Sequence, residues 1–227
     1  MVAVKAYCAV SRLPAAGLAV LVAAAGSATS LAAQQAGATA DESGSGRRVA
    51  YVVDPFSSEA RYVVREQLAG VEFPNDAIGV TSALEGQLVV DGSGAVVWEE
   101  SGFVVDITTL ESDKERRDGY IQRRTLESDQ YPTVTLALTG AEGLPKVLPE
   151  SGEITFTLLG DLTVHGTTMP TRWDVAAETR EDAIVGAAST SFSFGYFGLQ
   201  RPRVAVVLSV DDEIRLELDF TLVRENE

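Results

Sequence analysis

The chain offers few residues that could do chemistry. It has one histidine, His165, and one cysteine, Cys8, among 227 residues. Nucleophilic catalysis at His165 needs a Ser, Cys or Thr beside the imidazole and an acid to orient it. Many Ser, Asp and Glu residues could serve, none is singled out by spacing, and no Gly-x-Ser-x-Gly elbow occurs. A zinc site needs three or four good ligands, which one His and one Cys do not supply. Carboxylates for Ca²⁺ are plentiful, yet no stretch has EF-hand spacing. The sequence therefore predicts no catalytic residue, no metal site and no cofactor.

Four polar residues still call for a role. His165 ends an apolar strand just before Gly166. It reads either as a polar contact to a ligand head group or as a turn residue tied to a backbone carbonyl. Arg117 and Asp118 read as an ion pair fixing an irregular insertion, or as a rim contact to a ligand. Glu66 falls on the same strand phase as Tyr62 and Val64, which places it at a barrel mouth or at a bulge. An enzyme acting on a lipid-like substrate would need such a carboxylate with His165 nearby.

Charge narrows the partners. The formal net charge is −15 and the pI about 4.5. Phosphate backbones repel such a chain, so no nucleic-acid partner is expected. An acidic balance also suits anionic membrane surfaces poorly. Residues 1–33 read as a signal peptide, with an uncleaved N-terminal anchor as the competing reading. Lys5 and Arg12 precede the apolar run Leu13–Ala25, and small residues follow at Gly26, Ser27, Ala28, Ser30 and Ala32. That run is shorter than the ~20 residues that span a bilayer, and Cys8 lies before it rather than at its end. Cleavage near Ala32 or Ala33 removes two positive charges, leaving −17 and no transmembrane segment. Residues 34–46 (QQAGATADESGSG) read as a flexible linker. The destination is then periplasmic or extracellular.

The elements that must position these groups are strands. From Val49 onward, apolar residues recur mostly at every second place. Ile214, Leu216, Leu218, Phe220 and Leu222 alternate with charged or polar residues. So do Ile154, Phe156, Leu158, Leu162 and Val164, with Gly160 on the same face. Shorter runs put Tyr62 and Val64, Phe103, Val105 and Ile107, Leu136 and Leu138, and Trp173 and Val175 on single faces. Ile184, Phe192, Phe194 and Tyr196 share a phase across one long strand, and Val204, Val206, Leu208 and Val210 form another. Near 112–126 the period breaks into a charged segment that reads as a short helix, with Ser112 and Glu115 at capping-box spacing. Eight to ten strands without a βαβ rhythm predict an all-β antiparallel sandwich or barrel over residues 47–227. An eight-stranded barrel can fill its interior with side chains or hold one small ligand. Small inward residues at Gly160, Gly186, Ala188 and Thr190 leave room for the second.

Arg117-Asp118, then Tyr131-Pro132-Thr133-Val134, then Gly160-Asp161-Leu162-Thr163-Val164-His165-Gly166 and Pro170 follow one another in an order and spacing that resemble the YceI family. Tyr51-Val52-Val53-Asp54 resembles its usual first strand. The resemblance implies an extended, eight-stranded, lipocalin-like antiparallel barrel with a helical insertion, commonly exported, holding a polyisoprenoid inside. Two places depart from the family pattern. Gly119-Tyr120-Ile121 stands where a His-Leu pair is common, and Phe194-Gly195 lacks the usual preceding Arg. Both bear on head-group recognition more than on fold.

The sequence reading is thus a lipid-binding protein and not an enzyme. It would sequester a polyisoprenoid, quinone-like or fatty-acyl chain along Tyr62, Val64, Phe103, Val105, Ile107, Leu136, Phe156, Leu158, Trp173, Phe192, Phe194, Leu216, Leu218 and Phe220. His165, Arg117 and Asp118 would sit at its rim. A homodimer is compatible with this reading. A ligand-free structural or adhesion barrel is the alternative, and a lipid-acting enzyme the more distant one.

Overall fold

The computed structural model describes residues 47–225. The expected signal peptide (1–33) and linker (34–46) lie outside the described residues. Twelve strands form in chain order. They are β1 (Val49–Val53), β2 (Glu59–Leu68), β3 (Asn75–Thr81), β4 (Leu84–Val90), β5 (Gly102–Asp106), β6 (Glu111–Ser112), β7 (Thr133–Glu142), β8 (Gly152–Val164), β9 (Thr167–Thr179), β10 (Ala183–Ser193), β11 (Val207–Val210) and β12 (Glu213–Arg224). All pairings are antiparallel. The ring β1-β4-β5-β7-β8-β9-β10-β12 closes through β1 on β12, giving an eight-stave barrel.

Eleven of the twelve strands make the eight staves, because three staves are each broken in two, and β11 stands off the ring on β2. β1 pairs with β12 from Tyr51↔Arg224 to Val53↔Leu222, and β2 resumes on the same strand from Glu59↔Asp219. β3 and β4 are the two halves of the next stave, and β5 and β6 of the third. The three breaks, at 54–58, 82–83 and 107–110, lie side by side. Side-chain hydroxyls supplement the few backbone bonds left there, Asp54 N–H to the Thr221 carbonyl at 2.8 Å and Asp106 N–H to the Ala83 carbonyl at 2.9 Å. Buried Ser58 accepts from the Thr221 N–H at 3.0 Å, Thr81 accepts from the Ala83 N–H at 3.0 Å, and the Thr81 and Thr109 hydroxyls meet at 2.6 Å.

The period-2 residues point where their alternation requires. Leu136, Leu138, Leu158, Leu162, Trp173, Val175, Ile184, Leu218, Phe220 and Leu222 are all buried in one core, which supplies the main driving force for closure. Gly160 and Gly186 do not leave room, contrary to the sequence reading. A Cβ on Gly160 would lie 2.7 Å from Leu136 Cδ1, and one on Gly186 2.7 Å from Ala177 Cβ. Neighbouring strands already occupy that space.

Three further expectations are corrected. The long strand through Phe192, Phe194 and Tyr196 stops at Ser193, and Phe194–Phe197 forms a 3₁₀ turn ended by Gly198 in the left-handed region. The expected strand from Val204 begins only at Val207, and Val204, Val206 and Leu208 are exposed, because this segment runs past the end of β10 and β11 pairs only with β2. The helical insertion is α1 (Glu115–Tyr120) followed at once by a π-helical turn, Ile121–Thr125. Its N-cap is Lys114, not Ser112, which belongs to β6 and points its hydroxyl at Asp118.

Candidate functional site

The barrel has two unlike ends. The upper end carries the β2–β3 turn, the helical insertion, the β8–β9 turn and residues 194–212. The lower end carries the loops 91–101 and 143–151.

The lower half encloses a wholly apolar cavity of about 50 Å³. Leu136, Phe156, Leu158, Trp173, Leu218 and Phe220 form its walls, with Leu138, Val175, Ile184 and Ala188. Val96, Trp98, Leu144 and Leu148 reach in from the two lower loops. Those loops touch through the Leu148 N–H, which donates to the Gly94 carbonyl at 2.9 Å. Asp91 fixes the first loop: its Oδ1 accepts from the Ser93 hydroxyl at 2.6 Å, the Ser93 N–H at 2.8 Å and the Ala95 N–H at 3.0 Å. The Ser93 hydroxyl first, then these backbone N–H groups, hold its carboxyl below the usual range. Trp173 meets its one polar need inside the wall. Its indole N–H donates to Thr171 Oγ1 at 3.0 Å, and that hydroxyl donates to the Gly160 carbonyl at 3.0 Å.

The upper half is closed. Phe197 is fully buried, with Phe192 edge-on to it at 4.7 Å between ring centres. Phe194 and Leu199 are buried beside it in the same core, and Tyr196 donates its hydroxyl to the Pro170 carbonyl at 2.8 Å. These residues cork the barrel from above.

Between cork and insertion lies the one buried charge pair among the described residues. Glu66 is 8% exposed and accepts from Arg117 Nη2 at 2.6 Å. Arg117 also reaches Asp113, whose carboxyl its hydrogen bond pulls below the usual range. Tyr62 lies across Gly79 in the same pocket, and burial pushes its phenol well above the ordinary value despite the opposing charge of Arg117. Asp118 is not the partner of Arg117. Its carboxylate accepts from the Ser112 N–H at 3.0 Å and hydroxyl at 2.5 Å, tying α1 to β6.

His165 occupies the two-residue β8–β9 turn, with φ +51° followed by Gly166 at +71°. This left-handed pair suits the strand twist. Its Nε2 lies 2.8 Å from Glu127 Oε2, and its ring packs on Tyr131 at 4.5 Å. His165 thus latches the insertion to the hairpin, at the end opposite the cavity.

The predicted lining splits by level. Phe103, Leu136, Phe156, Leu158, Trp173, Leu218 and Phe220 border the cavity. Tyr62, Val64, Val105, Phe192, Phe194 and Leu216 pack in the same core above it, and Ile107 is buried in a 3₁₀ turn rather than on a strand. The loop residues Trp98 and Leu148 escaped the sequence reading because they belong to no alternating run.

The sequence profile of the YceI-like domain matches residues 51–222. The chain belongs to the YceI-like family. Among solved structures, a polyisoprenoid binding domain from Saccharophagus degradans, implicated in plant cell wall breakdown, is similar to this YceI-like barrel. Its TM-score is 0.58 at 13% identity, covering 79% of this chain and 99% of that one. BcnA from Burkholderia cenocepacia has a TM-score of 0.55 at 14% identity, covering 74% and 98%. No curated protein sequence matches this chain. At such identities the structural likeness speaks for the shared fold.

Proposed function

We propose that this YceI-like protein is an exported, non-enzymatic carrier of a long apolar molecule, a polyisoprenoid, quinone-like or fatty-acyl chain. The observation that carries the reading is the wholly apolar cavity under two loops joined to each other by a backbone hydrogen bond. Each CH₂ taken from water into such a wall gains about 0.8 kcal/mol, so affinity needs almost no polar recognition. The polyisoprenoid-binding domain of Saccharophagus degradans supports the ligand class by its fold and its name.

The cavity admits only the leading few carbons of such a chain in the present packing. A long ligand therefore parts the 91–101 and 143–151 loops and displaces Trp98, Leu144 and Leu148. The small volume also gives specific support to a second reading, a structural barrel filled by its own side chains. Native mass spectrometry of the exported protein, followed by solvent extraction, separates them. One apolar molecule per chain is expected, and Ala188→Leu, which adds three carbons to the cavity wall, should lose it while keeping the fold. A protein that is empty as isolated and refuses added isoprenoids and fatty acids would sink the carrier reading.

A further inference from the structure

The two lower loops are held very differently. Residues 91–101 are tied at both legs. The Asp91 carboxylate organises the first, and the Asp91 N–H also donates to the Ala95 carbonyl at 2.8 Å. At the second, buried Ser101 accepts from the Val89 N–H at 2.9 Å and donates to the Val97 carbonyl at 2.7 Å. Residues 144–151 have no such ties. Among the described residues, their one hydrogen bond runs from the Leu148 N–H to the Gly94 carbonyl. Gly143 and Gly152 bound this segment at φ +82° and +125°, in backbone that glycine adopts readily, and nothing lies within 4 Å of where their Cβ atoms would be. Between them, Pro145 and Pro149 fix two φ angles and stiffen the segment.

The stiff segment sits at a gap in the wall. β7 pairs with β8 only from Thr135↔Thr163 to Glu142↔Thr157. β8 starts earlier, at Gly152, and is paired with β9 from there onward. Residues 152–156 thus have β9 on one side and no strand on the other. Two of them, Ile154 and Phe156, line the cavity, so the gap gives onto the cavity from the side. Leu144 and Leu148 line the same cavity from the segment, and both are half-buried. Opening the gap therefore breaks no backbone ladder. It breaks one hydrogen bond and withdraws two half-buried leucines, which places the segment at the low end of local stability.

We infer that residues 144–151 are a flap, hinged at Gly143 and Gly152 and latched on Gly94, that uncovers a side entrance to the cavity between β7 and β8. The 91–101 loop is the fixed jamb against which it shuts. That the entrance serves an apolar cargo rests on the carrier reading; the motion of the flap does not. Leu144 and Leu148 supply the closing force, since both leave water when the flap is down. A chain entering the cavity takes their place, so one flap seals the empty barrel and gives way to its cargo.

The test is made on the full chain without cargo. In native-state hydrogen exchange, the Leu148 amide should exchange before the Val97 amide, which donates to the Val89 carbonyl at 2.8 Å in the jamb. Exchange of the two together would overturn the hinge, because the loops would then open as one unit. Ala188 lines the cavity at 5% exposure, and the chain has one cysteine, so Ala188→Cys with Cys8→Ser sets a single thiol inside the barrel. Its rate of reaction with N-ethylmaleimide reads access to the cavity. Leu148→Ala withdraws the burial of about two CH₂ groups from the closed flap and should speed that reaction about tenfold. An unchanged rate overturns the inference, as does acceleration by Ser58→Ala in place of Leu148→Ala, which would move the entrance to the stave breaks. Neither measurement involves an apolar ligand. A flap that opens as expected in a protein that refuses apolar molecules sinks the carrier reading alone, and a cargo-binding protein that fails both measurements sinks the flap alone.

Discussion

Replacing Arg117 by Met tests the buried pair most directly. The change keeps much of the side chain's packing and removes the guanidinium that lies 2.6 Å from Glu66. Glu66 is only 8% exposed, and the Arg117 side chain 13%. Water therefore screens the pair weakly and cannot easily replace the lost partner. Removing one member of a buried pair costs about 3–5 kcal/mol. Asp113, two-thirds exposed, loses only a surface contact and adds little. With a urea slope of about 2 kcal/mol per molar, the unfolding midpoint should fall by about 1.5–2.5 M at unchanged slope. Tryptophan fluorescence during urea unfolding reads it, since Trp173 is buried in the wall. Adding Glu66→Leu to Arg117→Met should recover most of the loss, because the uncompensated carboxylate, not the missing pair, carries the cost. A midpoint shift under about 0.5 M for the single change, or a double variant no more stable than the single, would refute this account.

Three other outcomes follow from the geometry. Phe197→Ala empties the cork and should cost about 3–5 kcal/mol in chemical denaturation. Ser58→Ala strands the Thr221 N–H at the stave break and should cost about 1–3 kcal/mol, with the Thr221 amide gaining exchange rate. The folded-state pKa of Tyr62 is raised, so its contribution is complete below the ordinary phenol range near ~10 and is lost as pH rises beyond it, where the unfolded chain ionises first. Thermal melts in that alkaline window should show Tyr62→Phe losing less stability with pH than the parent.

The staves were legible wherever one stretch of chain both crossed the barrel and alternated. Ile214–Leu222 and Ile154–Val164 obey the period because one face meets the core and the other water. Alternation misled where no barrel lay behind it. Phe192, Phe194 and Tyr196 alternate, yet the chain turns into a 3₁₀ cork that buries Phe197 from the opposite phase. Val204, Val206 and Leu208 alternate too, but the first two precede β11 and the short strand itself lies beyond the barrel's end. The capping box failed because Asp118 competes for Ser112. The partner of Arg117 was hidden for a different reason: Glu66 lies 51 residues away in the chain, and the pairing of β2 with β3 and of β3 with β6 brings them together. The cavity's loop lids, Trp98 and Leu148, carry no periodic signal at all.

The three adjacent stave breaks give the wall a grain. At 54–58, 82–83 and 107–110 the backbone ladder thins to single bonds, such as Asp54 N–H to the Thr221 carbonyl and Asp106 N–H to the Ala83 carbonyl, helped by the hydroxyls of Ser58, Thr81 and Thr109. Local opening free energies are lowest where backbone pairing is sparse. Amides beside these gaps should thus exchange with solvent before those of β8, β9 and β10, and a pulling force should tear the cylinder along this line first. The barrel behaves as a tube with a perforated seam, able to gape sideways across three staves while the other five stay rolled.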